Sequence, residues 1–165
     1  MKLNLGCGPK MMDGFVNVDM ANNYSQMQPD VVCDITGPLP FDDVDEIHAY
    51  HVLEHLVPFK VADVLTEWKR ALKPGGLLVI EVPCFDKIMK LYAHKIIDGK
   101  DIGIEWKYWL WGDPRFGDEK MLHRWCFGVE ELGDILHRIG FENVQLETPQ
   151  THIKERDMRM TAVKP

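Results

Sequence analysis

The chain has 165 residues, 45% of them hydrophobic, which is material for one ordinary globular domain with its own core. Its net charge of −7, with acids and bases interspersed, argues against a nucleic-acid partner, because phosphate backbones are held mainly by lysine and arginine. No apolar run approaches the roughly 20 residues of a membrane helix and the first residues do not read as a leader, so the expectation is a soluble, cytoplasmic protein.

Residues 2–5 read as a strand that enters a glycine pair, Gly6 and Gly8. A second apolar run, 15–19, ends in Asp19; a third, 30–33, ends at Asp34; a fourth, 46–50, stops before His51. Helical spacing follows over 59–72, with Val61, Val64, Leu65, Trp68, Ala71 and Leu72 on one stripe. Pro58 suits its first turn, and Lys73-Pro74-Gly75-Gly76 stops it. Residues 77–83 form a near-continuous apolar strand, as expected where both faces are covered. An insert over 84–127 then breaks the rhythm: a helix over about 86–97 leads into a segment rich in aromatics, and four of the five tryptophans lie here. Helical order returns at 129–139, with Val129, Leu132, Ile135, Leu136 and Ile139 on one stripe and Gly140 as the stop. Residues 143–149 and 157–163 close the chain as two strands. The expectation is a single α/β domain over 1–165, its sheet mostly parallel with a late hairpin, capped by the insert.

The first crossovers are short. Nine residues separate Leu5 from Phe15 and ten separate Asp19 from Asp30, where a helical crossover usually needs at least about ten to twelve. The helices after strands one and two must therefore be a turn long or absent. One sheet face is left thinly covered, so the insert or a second copy of the chain is expected to cover it, and a homodimer is anticipated.

The chemistry gathers at the strand ends. Gly6 and Gly8 let a ligand approach the backbone closely. Asp19 can accept from both hydroxyls of a ribose, and Asp34 from an adenine amino group with Ile35 packed on the base. A dinucleotide fits less well: its third glycine would fall at Met11, and its acid normally comes about 20 residues on. The four cysteines, Cys7, Cys33, Cys84 and Cys126, show no zinc spacing and read as reduced thiols.

Taken together, LNLGCGP, GFVNVD, CDITGPLPFDD, HVLEHL and LKPGGLLVIEVP resemble the class I S-adenosylmethionine-dependent methyltransferases, of the kind often called type 11. HRWCFGVEELGDILHRIGFENVQLE is similar to the end of that family's pattern. The resemblance implies a Rossmann-like sheet of seven strands with the last antiparallel, and S-adenosylmethionine as methyl donor. It implies that Leu5, Gly6, Cys7 and Gly8 line the methionine part, Asp19 and Met20 the ribose, and Asp34 and Ile35 the adenine. His51 would then sit beside the sulfonium. The chain departs from the family in the nearly absent helix after the glycine loop and in the missing N-terminal helices.

Methyl transfer to oxygen or nitrogen is an in-line displacement, for which the protein supplies alignment, dryness and, where needed, a base. His51 and His123 are the candidate bases, with His55 read as structural. His51, Glu54 and His55 echo the E-x-x-E-H of metal-using ubiquinone-pathway O-methyltransferases, but the first ligand type differs and no metal is expected. Trp106, Tyr108, Trp109, Trp111, Phe116 and Trp125 read either as a lid over the acceptor or as a small core of the insert. The expected function is methylation of a small molecule or a glycan-type acceptor. The alternatives are a non-catalytic S-adenosylmethionine-binding subunit and another nucleotide-binding α/β enzyme.

Overall fold

The computed structural model describes residues 1–20, 28–94, 96–97, 100–101 and 103–165. The strands are β1 (Lys2–Leu5), β2 (Val16–Asp19), β3 (Val31–Val32), β4 (Val44–Tyr50), β5 (Leu72–Pro83), β8 (Glu142–Glu147) and β9 (Asp157–Val163), with a short ribbon of β6 (Ile96–Ile97) and β7 (Lys100–Asp101). The helices are α1 (Val61–Ala71), α2 (Phe85–His94), α3 (Glu105–Trp111) and α4 (Val129–Ile139). Seven strands form one sheet in the order β3-β2-β1-β4-β5-β9-β8. β1 to β5 pair parallel, while β9 runs antiparallel to both β5 and β8, so only the last strand is reversed. This is the expected Rossmann-like arrangement.

Strand pairing sorts the side chains into rows. Leu3, Val16, Ile47, Leu78 and Ala162 are in register across the sheet, as are Leu5, Val18, Ala49, Ile80 and Met160. These two rows share one core with Val61, Leu65 and Trp68 of α1 and with Leu132 and Leu136 of α4. The α1 stripe therefore forms for the reason its spacing gives: side chains three and four apart share the face that meets the sheet.

The intervening rows are polar. Asn4, Asn17, His48 and Thr161 share one row with Val79, and Tyr50, Glu81, Arg159 and Glu147 share another. They bond among themselves: Asn4 to Asn17 at 2.9 Å, His48 to Tyr50 at 2.6 Å, and Arg159 to both Glu81 and Glu147 at 3.3 Å. Phe15 lies edge-on over the His48 ring at 4.8 Å. No helix stands between β1 and β2, and the possible short helix after β2 falls outside the described residues. The face this uncovers carries buried polar groups that bond to one another and, through Asn4 and Asn17, to Lys10, Met12 and Asp30.

The insert builds a core of its own. Ile88, Trp109 and Leu110 form a satellite core with Met89, Leu91, Trp106, Cys126 and Ile153, and none of these belongs to the polar face. The expected helix over 86–97 ends at His94, and residues 96–97 belong to the ribbon. Backbone bonds fasten the insert to the carboxyl ends of two central strands. Arg124 and Trp125 donate to the Glu54 carbonyl at 2.6 and 3.2 Å, beyond β4, and Phe85 donates to the Phe127 carbonyl at 2.9 Å, beyond β5. The aromatic segment is thus both a small core and a structure standing over the strand ends.

Candidate active site

The glycine loop is folded back on β2. Gly6 and Cys7 donate to the Val18 carbonyl at 2.8 and 3.2 Å. Gly6 and Gly8 have φ of +66° and +50°, the left-handed region in which a β-carbon is strained. A β-carbon on Gly6 would lie 2.5 Å from Val52 Cγ2, so this residue also lets the loop touch the segment after β4. A β-carbon on Gly8 would meet nothing within 4 Å, which leaves open space beside the strand end. The Asp19 carboxylate borders that space, accepting from Gly8 N at 2.8 Å and Met20 N at 2.7 Å. Open room at a left-handed glycine, with a carboxylate at its edge that keeps spare lone pairs, fits an adenosyl ligand.

The other expected cofactor residues divide. Met20 is exposed next to Asp19, and Cys7 is buried, its thiol pushed up to about 11 by burial and then by Asp19. Leu5 and Ile35 point their side chains into the main core, so both meet the site through their backbone at most. Trp68 Nε1 holds the Ile35 carbonyl at 3.0 Å. Asp34 Oδ1 accepts from Thr36 Oγ1 at 2.7 Å and Thr36 N at 2.9 Å, which lowers its carboxyl and closes a turn after β3.

His51 begins the segment after β4 with φ +56°, an uncommon conformation for a residue with a β-carbon. It is held there by its N–H donating to the Glu81 carbonyl at 2.8 Å and by its Nδ1. Nδ1 lies 3.1 Å from Glu54 Oε1, and Nε2 faces Asp157 Oδ2 at 3.4 Å. Burial would lower His51, but Asp157 and Glu54 outweigh it and raise the imidazole to about 9. The ring thus sits between two buried carboxylates, Nδ1 hydrogen-bonded to Glu54 and Nε2 facing Asp157 without a hydrogen bond. A raised imidazole of this kind favours its protonated form.

Around it lies a buried ionic network that the sequence reading did not anticipate. Glu54, Glu81 and Asp157 are each at most 1% exposed. Asp157 pairs with Arg156, and Glu81 accepts from Arg159, from the N–H groups of Gln150 and Thr151, and from the Thr151 hydroxyl. His152 stacks on His51 with ring centroids 4.1 Å apart. The available signal was the charge inside apolar strands: Glu81 in LLVIEVP, and Asp157 and Arg159 in DMRMTAV.

His123 comes from the insert and reaches the same neighbourhood, its ring centroid 5.0 Å from that of His55. Burial lowers its imidazole, opposed by Glu54. His123 also lines a cavity of about 500 Å³ whose walls include Phe85, Leu110, Trp111 and Trp125, with Arg124 and Glu131 as polar members. Trp125 Nε1 donates to Glu131 Oε1 at 2.8 Å, which fixes one wall.

A family model described as a methyltransferase domain matches residues 9–146. The chain belongs to this methyltransferase family. Solved structures agree on the fold. A Methanosarcina mazei S-adenosylmethionine-dependent methyltransferase aligns with a TM-score of 0.65 at 21% identity, over 99% of this chain and 91% of that one. One from Archaeoglobus fulgidus gives 0.63 at 19%, over 99% and 85%. A Nostoc punctiforme putative O-methyltransferase gives 0.64 at 14% over 99% of this chain, which spans only 51% of that protein's length. No curated protein matches the sequence. Its fold is that of the class I methyltransferases, and among the described residues no helix is long and apolar enough to cross a membrane.

Proposed function

We propose that this methyltransferase transfers the methyl group of S-adenosylmethionine to a hydroxyl of a small acceptor with one flat apolar face, an aromatic ring or a single sugar. The observation that carries this reading is the cavity of about 500 Å³ between Trp111 and Trp125, 56% and 44% exposed. Its size suits one ring system, and its aromatic walls suit stacking. Arg124 and Glu131 add polar contacts that orient such a molecule.

In this reading S-adenosylmethionine supplies an electrophilic methyl group. Gly6 and Gly8 admit its methionine part against the backbone, and Asp19 accepts from the ribose hydroxyls. Met20 flanks the ribose, while Asp34 closes the adenine end. His51 acts as a buried cation that sets the end of β4 and holds Glu54 in place. Handling of the acceptor hydroxyl falls to Glu54, His55 and His123, because His123 borders both that group and the cavity. Stacking in the cavity and the cradle at Gly8 supply the alignment on which in-line transfer depends.

Calorimetry with S-adenosylmethionine and with its demethylated product should give one site per chain. Incubation with a panel of phenols, catechols and monosaccharides should yield a product heavier by one methylene. Cofactor binding without product from any hydroxyl acceptor, alongside turnover of amines, would replace the oxygen acceptor by nitrogen.

A further inference from the structure

Glu54 is 1% exposed, yet its Oε2 has no hydrogen-bond partner. A buried carboxylate oxygen left bare is costly, and such atoms in folded proteins normally have a partner. The same carboxylate is grouped with the imidazoles of His55 and His123. One ligand atom from each of Glu54, His55 and His123 lies within 4.8 Å of the others.

The two imidazoles are already set for metal binding. His55 Nδ1 lies 3.2 Å from the Leu122 carbonyl, and His123 Nδ1 lies 2.9 Å from the Trp109 carbonyl. A carbonyl only accepts, so each Nδ1 carries a proton, and the neutral tautomer of each ring has its free lone pair on Nε2. Backbone anchoring of the far nitrogen is the usual outer support of a metal-bound histidine. The bonds from Arg124 N and Trp125 N to the Glu54 carbonyl clamp the two halves of the group together.

We infer that Glu54, His55 and His123 form a binding site for one divalent first-row transition ion of the zinc type. Two imidazoles and one carboxylate favour such an ion over magnesium or calcium, which prefer all-oxygen shells. Three protein ligands leave a position for water or a ligand oxygen. His51 is outside the set, since its ring is committed to Glu54 Oε1 and Asp157. A second group, His51, Glu81 and Asp157, is closed by its bonds to Arg156 and Arg159 and offers no comparable opening.

The use of this ion rests on the methyl-transfer reading. An acceptor hydroxyl in the cavity that His123 lines would take the free position and become more acidic. Its proton leaves to solvent, its oxygen forms the C–O bond to the sulfonium methyl, and the C–S bond breaks with its electrons going to sulfur.

The test is titration of chelator-stripped protein with Zn²⁺ by calorimetry and with Co²⁺ by visible absorption. One ion per chain is expected, with the intense bands of four- or five-coordinate Co²⁺. His123→Ala and His55→Ala should each weaken Zn²⁺ binding at least 100-fold, while His94→Ala at the exposed end of α2 should not. Glu54→Gln is read only alongside its melting curve, because that position is buried, so the two histidine variants decide. No Zn²⁺ binding, or binding unchanged in both, overturns the site. S-adenosylmethionine binding is measured in parallel. Cofactor binding without Zn²⁺ rejects the metal site and leaves methyl transfer standing, whereas Zn²⁺ binding without cofactor does the reverse.

Discussion

Replacing Gly6 by alanine separates two roles of the glycine loop. The φ of +66° places the new β-carbon in the left-handed region, at a cost of about 1–2 kcal/mol. The same atom would sit 2.5 Å from Val52 Cγ2, and Val52 is only 7% exposed, so the clash falls in packed surroundings. Overpacking of that kind costs about 1–3 kcal/mol more. The sum is about 2–5 kcal/mol, and in a domain of this size each kcal/mol lowers Tm by about 2–4 °C. Gly6→Ala should therefore melt about 4–20 °C below wild type. Gly8→Ala meets no atom within 4 Å, so it incurs only the backbone cost. Its effect should appear instead in S-adenosylmethionine affinity, since the added methyl group stands in the open cradle. Thermal melts and calorimetry on both variants, with Val52→Ala alone and combined with Gly6→Ala, form the assay. Val52→Ala should rescue the steric part of the Gly6 defect and leave the backbone part. If the Gly6 and Val52 changes are simply additive, the loop does not rest on Val52 and the reasoning fails.

Asp19→Ala should weaken S-adenosylmethionine binding by at least tenfold in calorimetry, because charge-assisted bonds to two ribose hydroxyls are lost. Unchanged affinity would make Asp19 only a brace for Gly8 and Met20. Asp157 carries a pH signature. Burial would raise its carboxyl, but His51 and Arg156 outweigh this and bring it to about 2, below the ordinary 3.8. Its contribution, about 2 kcal/mol, is therefore complete above pH 4 and lost as pH falls through 2. Asp157→Asn should be destabilised at pH 7, with the gap to wild type closing between about pH 4 and 2 in denaturant titrations; a gap independent of pH would contradict this. Trp111→Ala should raise the acceptor KM about tenfold through lost stacking, while Tm and cofactor affinity stay near wild type. A fall in Tm instead would place Trp111 in the insert's core.

The sequence alone was enough for the order of the seven sheet strands and for α1 and α4, because these rest on local relations. The α1 and α4 stripes follow from helical period, and G-x-G followed by Asp19 follows from a short turn between adjacent parallel strands. It also showed that the first crossovers are too short for full helices. What lines the thinly covered face was decided by strand register. Asn4, Asn17, His48 and Thr161 come from four separate strands, and only their alignment in one row turns scattered polar residues into one polar surface. The same holds for the site. The place of His51 after β4 suggests a base, and only the fold brings Glu54 and Asp157 to within 3.1 and 3.4 Å of its two ring nitrogens. His123 meets Glu54 and His55 because backbone bonds tie the insert to the turn after β4. Spacing in a chain reports neighbours a few residues apart, whereas charge balance and ligand geometry depend on contacts between distant segments, which only packing creates.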